Sequence, residues 1–299
     1  MPTVLSIPSI YNEWVQVAVI QVTTVGFKAQ AALARAGGSA HVLATLSDSI
    51  YLEARDEIVW LGHEGASRHP RAILAAELPL ASSPSPGGVL QIDLRAARSW
   101  KPAEPCLTRD SSRALVTGCR SLLAALDALA PPDGFGTLLT GASPPFPLDA
   151  LAPRARALAR ACGRDDARGA AEAAKTLLGA GPGLTPSGDD YVGGAFFART
   201  ILARAGAADG PAWRAAATDI LDAARRATHP ISAALLADLL AGEGWAPLHD
   251  LVDAWSAAAP VATALAAARR LVAIGHSSGW DILAGVVAGT IGAVARDDA

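Results

Sequence analysis

Two short motifs in this sequence carry serine, glycine and aspartate at the same spacing. The first motif spans residues 187–194 and the second spans residues 278–285. In both, serine, glycine and aspartate stand at the first, second and fourth positions, and glycine ends the motif. Helix N-termini present backbone N–H groups and the positive end of the helix dipole, which attract phosphate or carboxylate groups. Two such helix starts brought together would form a site for a small anion.

Helix capping is the alternative explanation of both motifs. A serine followed three residues later by an acid is close to a capping box, in which both side chains bind backbone N–H groups at the helix start. Ser187 with Asp190 has this spacing, and so does Ser278 with Asp281. On this interpretation the motifs are helix starts and nothing more. The glycines that end or follow them predict close helix–helix packing.

Three features exceed what capping needs. The loop of residues 179–183 has more glycine than a cap requires. Gly188 and Gly279 fall in the first turn, where glycine is unfavourable unless something must approach the backbone closely. Asp189 and Asp190 are adjacent, so only one of them can serve the cap. The other is free to bind a metal, a cationic group or a substrate proton.

Candidate roles follow from residue type. Asp189, Asp190 and His276 are the candidate catalytic residues, because carboxylates and imidazole can exchange protons near neutral pH. A hydrogen-bonded structural role for His276 stays open. The candidate substrate- or anion-binding residues are Gly183, Thr185, Ser187, Gly188, Ser277, Ser278, Gly279 and Asp281. No metal site is assigned, and the sequence identifies no cofactor.

The elements that must position these residues form an α+β chain. Residues 1–147 contain short β-branched runs between turn residues and one or two helical stretches, which predicts a β-rich domain. Residues 148–299 are rich in alanine and glycine with helical spacing, and they carry both motifs. We therefore expect a helical C-terminal domain. A third helix start at residues 228–232 could line the same pocket as the motifs, although capping explains it equally well.

Composition excludes several classes of protein. The formal charge of −3 provides no concentrated basic face for nucleic acid. The longest uncharged apolar run is shorter than the roughly 20 residues of a membrane-spanning helix. The N-terminus has no secretory signal pattern, and the three cysteines form no CxxC pair, so we expect a cytoplasmic protein. Nucleotide, dinucleotide and hydrolase-elbow motifs are absent from the sequence.

The two motifs and their loops resemble the AllH-like family, which includes a subunit of bacterial oxamate carbamoyltransferase. The resemblance is carried by residues 179–194 and 274–286, including their order and separation. It implies a component of a multi-subunit system that converts oxamate and carbamoyl phosphate to oxalurate and phosphate. It also implies FdrA-like partner subunits, with a carbamate kinase acting nearby in purine and allantoin catabolism. A small anionic substrate agrees with the site expected from the motifs.

Three hypotheses about function remain open at this point. The leading one is an enzyme subunit of carbamoyltransferase type, in which the hydroxyls and glycines bind anionic groups and Asp189 or Asp190 with His276 positions an amide nitrogen or manages its proton. The second is a non-catalytic small-anion-binding or scaffold subunit. The third is a metal-dependent enzyme that uses Asp189 and Asp190.

Overall fold

The computed structural model describes residues 4–7, 15–82, 84–105 and 107–294. The chain divides into two compact units, residues 1–102 and residues 103–299. The first unit contains the strands and the second contains nearly all of the helix. The α+β class predicted from the sequence is confirmed.

The first unit is built around a mixed sheet that closes on itself. Strand β2 pairs with β6 on one side and with β7 on the other, and the order between them is β6-β5-β4-β3-β7. Helix α1 packs Ala29, Ala32 and Leu33 into the core of this sheet. The strands described in this unit are β1 Val4–Ile7, β2 Val15–Gly26, β3 Ser39–Thr45, β4 Ser49–Ala54, β5 Glu57–His63, β6 Ala72–Ala75, β7 Val89–Asp93 and β8 Arg98–Trp100, with α1 at Phe27–Arg35.

The second unit is helical and carries both motifs. Its α-helices are α2 Arg109–Ala124, α3 Ala152–Gly163, α4 Ala167–Lys175, α5 Ser187–Arg204, α6 Gly210–Ala227, α7 Pro230–Leu240, α8 Ala246–Ser256, α9 Val261–Val272 and α10 Ser278–Ile291. A 3-10 helix at Gly134–Thr140 separates α2 from α3. The first motif begins α5 and the second begins α10, as the sequence predicts.

The division between the units falls upstream of the boundary expected at residue 147. Helix α2 belongs to the second unit because its apolar face, with Leu115, Cys119 and Leu122, is buried among helices. Its Gly118 lies against the side chain of Trp255 on α8. The proline-rich stretch of residues 144–147 is therefore an internal connection of the helical unit.

Helices α5 and α10 form the centre of the second unit. Both are buried around almost their whole circumference, which is typical of a central helix rather than an amphipathic surface helix. Alanine and glycine make this possible, because small side chains let two helix backbones approach closely. The close packing predicted from the glycines is confirmed: a Cβ on Gly289 would lie 2.2 Å from the carbonyl oxygen of Ala195.

Candidate functional site

The two motifs meet at the N-termini of α5 and α10. Thr185 Oγ1 and Ser278 Oγ are 3.3 Å apart, and Ser187 Oγ and Ser277 Oγ are 3.4 Å apart. Each pair joins a hydroxyl from the first motif or its loop to a hydroxyl from the second. The two motifs therefore lie together in the structure, which is the condition that the hypothesis of a shared site set.

A local two-fold relation connects the two motifs. A Cβ on Gly194, which ends the first motif, would lie 2.2 Å from the carbonyl oxygen of Ile282 in the second. A Cβ on Gly285, which ends the second motif, would lie 2.1 Å from the carbonyl oxygen of Tyr191 in the first. The eighth position of each motif thus rests on the fifth position of the other. Any residue other than glycine at position 194 or 285 would place its Cβ against the backbone carbonyl of the opposite motif.

The early glycines are required by packing against the preceding segment. A Cβ on Gly188 would lie 2.0 Å from the carbonyl oxygen of Leu177, and one on Gly279 would lie 2.0 Å from that of Leu271. The N–H groups of these glycines donate to Ala180 O at 2.8 Å and to Ile274 O at 3.0 Å. Both glycines do face a close backbone approach, but the approaching group is the protein itself.

Several backbone N–H groups expected to be free for an anion are already engaged. Besides the two glycines, the amides of Asp189 and Asp190 donate to the Pro186 carbonyl at 2.9 and 3.3 Å. The amide of Asp281 donates to Ser277 O at 2.9 Å. The helix starts therefore offer fewer free donors than the sequence suggested, and the polar side chains dominate the site.

The capping-box interpretation of the motifs is wrong. Pro186 and Ser277 are the N-cap residues, and neither helix has a side-chain capping hydrogen bond. Ser187 and Ser278 are one residue too late to cap, because they are already the first helical residues. Each serine instead interacts with the aspartate of the opposite motif, Ser187 with Asp281 and Ser278 with Asp190.

Asp190 is a buried carboxyl without a full set of partners. Its residue is 4% exposed, and its Oδ2 atom accepts no hydrogen bond from the described residues. Burial raises the pKa of Asp190 well above its ordinary value, and the nearby charges of Asp281 and Asp189 add to this shift. The Ser278 hydroxyl offsets part of it. Asp190 therefore holds a proton more readily than an exposed aspartate.

Asp281 is the corresponding carboxyl of the second motif. Its Oδ1 accepts a hydrogen bond of 2.6 Å from the backbone N–H of Phe135, whereas its Oδ2 has no hydrogen-bond partner among the described residues. Burial raises the pKa of Asp281 to about 6, although Phe135, Ser187 and Ser277 stabilise the ionised form. The two carboxyls thus place two unpaired oxygens in one buried region.

Asp189 has a full set of partners, in contrast to Asp190. Its Oδ1 accepts from the backbone N–H of Gly179 at 2.8 Å. Its Oδ2 accepts from the hydroxyls of Thr228 and Ser232, the latter at 2.6 Å. The carboxylate therefore joins the glycine-rich loop to the start of α7. The third helix start reaches the first motif through Asp189 in this way, and the catalytic role considered for Asp189 stays a prediction.

His276 and Gly183 lie at the surface. The His276 side chain is 99% exposed, and its Nε2 is 3.7 Å from Asp133 Oδ2. Gly183 is exposed with a φ of +88°, a conformation that favours glycine. Thr185, Ser277 and Ser278 are half-buried. The site is therefore open to solvent on the side of the hydroxyls.

The 3-10 helix contributes to the site in a way that the sequence did not predict. Asp133 caps this helix through Gly134, and Phe135 supplies the donor to Asp281. A Cβ on Gly134 would lie 2.3 Å from Asp281 Oδ1, so glycine at this position leaves room for the carboxyl. The signal was present as an aspartate and a glycine after two prolines, a pattern typical of a helix N-cap in a turn.

Comparison with known families supports the resemblance carried by the motifs. The model of the family described as oxamate carbamoyltransferase subunit AllH matches residues 177–290. Those residues are AllH-like. No curated protein and no solved structure matches the chain. The matched region begins at the loop before the first motif and ends in α10, so it contains both halves of the site.

The AllH-like region holds no recognisable metal site. Among the residues the structure describes, no group of three or more histidine, cysteine, aspartate or glutamate side chains could hold a metal ion. A cavity of about 40 Å³ lies beside α3 and α10, lined by Arg156, Tyr191 and apolar residues. It does not include the motif hydroxyls.

Within the described part of the chain, no helix is long and apolar enough to cross a membrane.

Asp281 in the AllH-like region should make the protein less stable as the pH rises. Its pKa is about 6 in the folded protein against an ordinary 3.8, so the folded state holds this proton more tightly than the unfolded chain. This stabilisation is complete below about pH 4, is lost as pH rises through about 6, and amounts to at most about 3 kcal/mol. The Asp281→Asn variant lacks this titration. The free energy of unfolding of the variant minus that of the parent, measured by urea titration, should therefore increase as the pH rises from about 4 to above about 6.

The difference between parent and variant is the informative quantity. Paired carboxylates contribute the opposite slope: hydrogen bonds from Arg95 hold the pKa of Asp93 well below its usual range. Subtracting the parent curve removes such contributions, because Asp93 is unchanged in the variant. A difference that stays constant between about pH 4 and about pH 7 would contradict the assignment.

Proposed function

We propose that this chain is a subunit of a carbamoyltransferase system that acts on a small amide, with oxamate as the first substrate to test. The observation that carries the proposal is the coincidence of two features. The match to the family described as oxamate carbamoyltransferase subunit AllH covers residues 177–290, and the two buried carboxyls with unpaired oxygens lie within it. Unpaired buried polar atoms are uncommon in folded proteins and occur often where a ligand or reaction uses them.

The reaction joins a carbamoyl group to an amide nitrogen. The nitrogen of oxamate attacks the carbonyl carbon of carbamoyl phosphate, a C–N bond forms, and the C–O bond to phosphate breaks. Phosphate leaves and the nitrogen loses one proton. In our proposal the ionised form of Asp190 accepts that proton at its unpaired Oδ2, because the burial that raises the pKa of this carboxyl also strengthens its carboxylate as a base.

The hydroxyls beside the carboxyls suit the anionic parts of such substrates. Thr185 pairs with Ser278 and Ser187 pairs with Ser277, and all of them except Ser187 are half-buried. Hydroxyl groups can donate to a carboxylate or a phosphate oxygen without adding charge. They can also stabilise charge that develops on the carbamoyl oxygen during the transfer.

Partner subunits belong to the proposal. The family description refers to a subunit, and an FdrA-like chain is the partner type we propose. The half-buried hydroxyls leave one side of the site open, where a partner could complete it. This openness favours a second candidate, a ligand-binding subunit whose partner supplies the catalytic groups.

We place the system in the cytoplasm, which suits the free buried thiols of Cys119 and Cys162.

Phosphate release from carbamoyl phosphate and oxamate is the experiment that tests the proposal. We expect oxamate-dependent release when the chain is combined with FdrA-like subunits. Asp190→Asn should lower kcat by about a hundredfold or more, because proton transfer by a positioned base contributes about that much. Asp222→Asn is the matched control, since Asp222 is an exposed residue of α6 paired with Arg225.

The outcomes separate the candidates. A decrease in kcat of about a hundredfold or more with Asp190→Asn, together with unchanged kcat in Asp222→Asn, supports an enzymatic role for the motifs. Unchanged kcat with a raised KM in the Asp190 variant supports the ligand-binding subunit. No oxamate-dependent release with any partner combination would overturn the proposed function.

A further inference from the structure

The two unpaired oxygens are the starting point of a more specific inference. Asp190 is 4% exposed and Asp281 is 0% exposed, and the Oδ2 atom of each lacks a hydrogen-bond partner among the described residues. Leaving a buried acceptor unpaired costs on the order of 1–3 kcal/mol per group. The adjacent Asp189 is also buried, yet its three hydrogen bonds occupy both of its oxygens. Burial in this region therefore does not by itself prevent pairing.

The two oxygens belong to one site. Each aspartate interacts with the first serine of the opposite motif, and the charge of Asp281 contributes to the raised pKa of Asp190. What both atoms lack is a hydrogen-bond donor. A single –NH2 group carries two N–H donors, so one such group can satisfy both acceptors.

The neighbouring hydroxyls define the other end of the ligand. The two hydroxyl pairs that join the motifs are 3.3 and 3.4 Å apart, which is long for bonds between hydroxyls. Ser187, Ser277 and Ser278 donate to the two aspartates, whereas Thr185 is not among their donors, so its hydroxyl hydrogen is available to a stronger acceptor, such as a carboxylate. The site thus combines acceptors in its buried part with donors nearer the surface.

We propose that Asp190 and Asp281 together recognise the –NH2 end of a primary amide or ureido compound whose other end is anionic and lies against the motif hydroxyls. This deepens the proposed function and rests on it for the choice of oxamate as ligand. Asp281 thereby becomes a substrate-recognising residue as well as the structural partner of Phe135. The ligand class is small acids that end in –CO–NH2, rather than small anions in general.

A neutral amide fits this pair better than a cation does. Burial raises the pKa of both carboxyls, so at least one of them tends to hold a proton near neutral pH. A pair that shares a proton can accept from an N–H and also donate to the adjacent carbonyl oxygen. An alkylammonium or guanidinium ion would be bound best by two ionised carboxylates, and burial opposes ionisation of both.

Two matched pairs of ligands test the proposal. Pyruvate is oxamate with methyl in place of the amino group, and N-acetylglycine is N-carbamoylglycine with the same replacement. Binding of these four compounds to the purified full chain is measured by calorimetry. It is measured again in the assembly with FdrA-like subunits. We expect each –NH2 compound to bind at least about tenfold more tightly than its methyl partner, because the methyl compound leaves both carboxyls unpaired.

Variants connect the preference to the two carboxyls. In Asp281→Asn the side-chain –NH2 would face the ligand –NH2, so we expect the preference to fall to less than about threefold. Asp190→Asn should act in the same direction. Asp222→Asn should retain the full preference. Circular dichroism and urea unfolding of each variant confirm that loss of preference does not reflect loss of folding.

Several outcomes would overturn the inference. Equal binding of oxamate and pyruvate would do so, and so would tighter binding of methylammonium or guanidinium than of any amide. If the preference for –NH2 over methyl compounds survives in both aspartate variants, amide recognition lies elsewhere. The same conclusion follows if the assembly is active but neither –NH2 compound binds this chain. Its failure is distinguishable from failure of the proposed function. Carbamoyl transfer without the –NH2 preference retains the function, whereas the preference without transfer retains the recognition site.

Discussion

Asparagine at position 189 is expected to destabilise the protein, whereas asparagine at position 190 is expected to stabilise it. Asp189→Asn would place an –NH2 group where Oδ2 now accepts from Thr228 and Ser232, at a cost of about 3 kcal/mol. Asp190→Asn would replace a buried carboxyl, whose ionisation is opposed by burial and by the charge of Asp281, with a side chain that does not ionise, with a gain of about 1–2 kcal/mol. Urea unfolding near neutral pH measures both changes.

The opposite signs make this comparison informative. The two residues are adjacent, both are buried in the first turn of α5, and both substitutions preserve size. Asp222→Asn, on the exposed face of α6, should change stability by less than about 0.5 kcal/mol. Destabilisation by both substitutions would indicate that Asp190 has a structural partner. It would then also weaken the case that Asp190 awaits a ligand.

Alanine at position 285 is expected to lower the free energy of unfolding by about 3 kcal/mol or more. The added Cβ would lie 2.1 Å from the carbonyl oxygen of Tyr191 and 2.9 Å from the backbone nitrogen of Ala195. Both are backbone atoms, so α5 and α10 must separate to admit the methyl group. Because the two motifs are related by a local two-fold axis, Gly194→Ala should have a similar effect. Urea unfolding monitored by circular dichroism measures the loss.

Helix propensity predicts the opposite sign for these glycines. Alanine is more favourable than glycine within a helix by about 1 kcal/mol, so an unhindered helix would become more stable. Gly65→Ala is the control for the substitution itself, because its nearest contact would be the His63 side chain at 3.5 Å. Stability equal to the parent in Gly285→Ala would show that the two helices are not packed backbone to backbone.

Local sequence patterns predicted the helices but not their partners. The starts of α5 and α10 could be located because hydroxyls, proline and glycine mark helix boundaries within a few residues. The capping prediction failed because a cap depends on a single residue of register. Ser187 and Ser278 fall just inside the helix, and this shift turns their hydroxyls toward the opposite motif.

Long-range contacts account for the rest of what the sequence could not predict. Phe135 and Asp281 are 146 positions apart, and the contact uses a backbone N–H that any residue could supply. Gly188 and Gly279 were interpreted as positions that a ligand could approach. A glycine in the sequence indicates that some group lies close to the backbone, but it does not identify that group. The difference between Asp189 and Asp190 also depends on α7, since Thr228 and Ser232 reach only the first of them.

The two-fold relation between the motifs has a consequence for ligand orientation. A site with equivalent halves can bind a small molecule in two opposite orientations. A group-transfer reaction can use only one of these orientations. The 3-10 helix removes this degeneracy, because Phe135 donates to Asp281 and no corresponding backbone donor to Asp190 is found within the described residues. Asp281 is thereby held while Asp190 keeps its reactivity. Directionality in this site therefore comes from an element that the repeat does not duplicate.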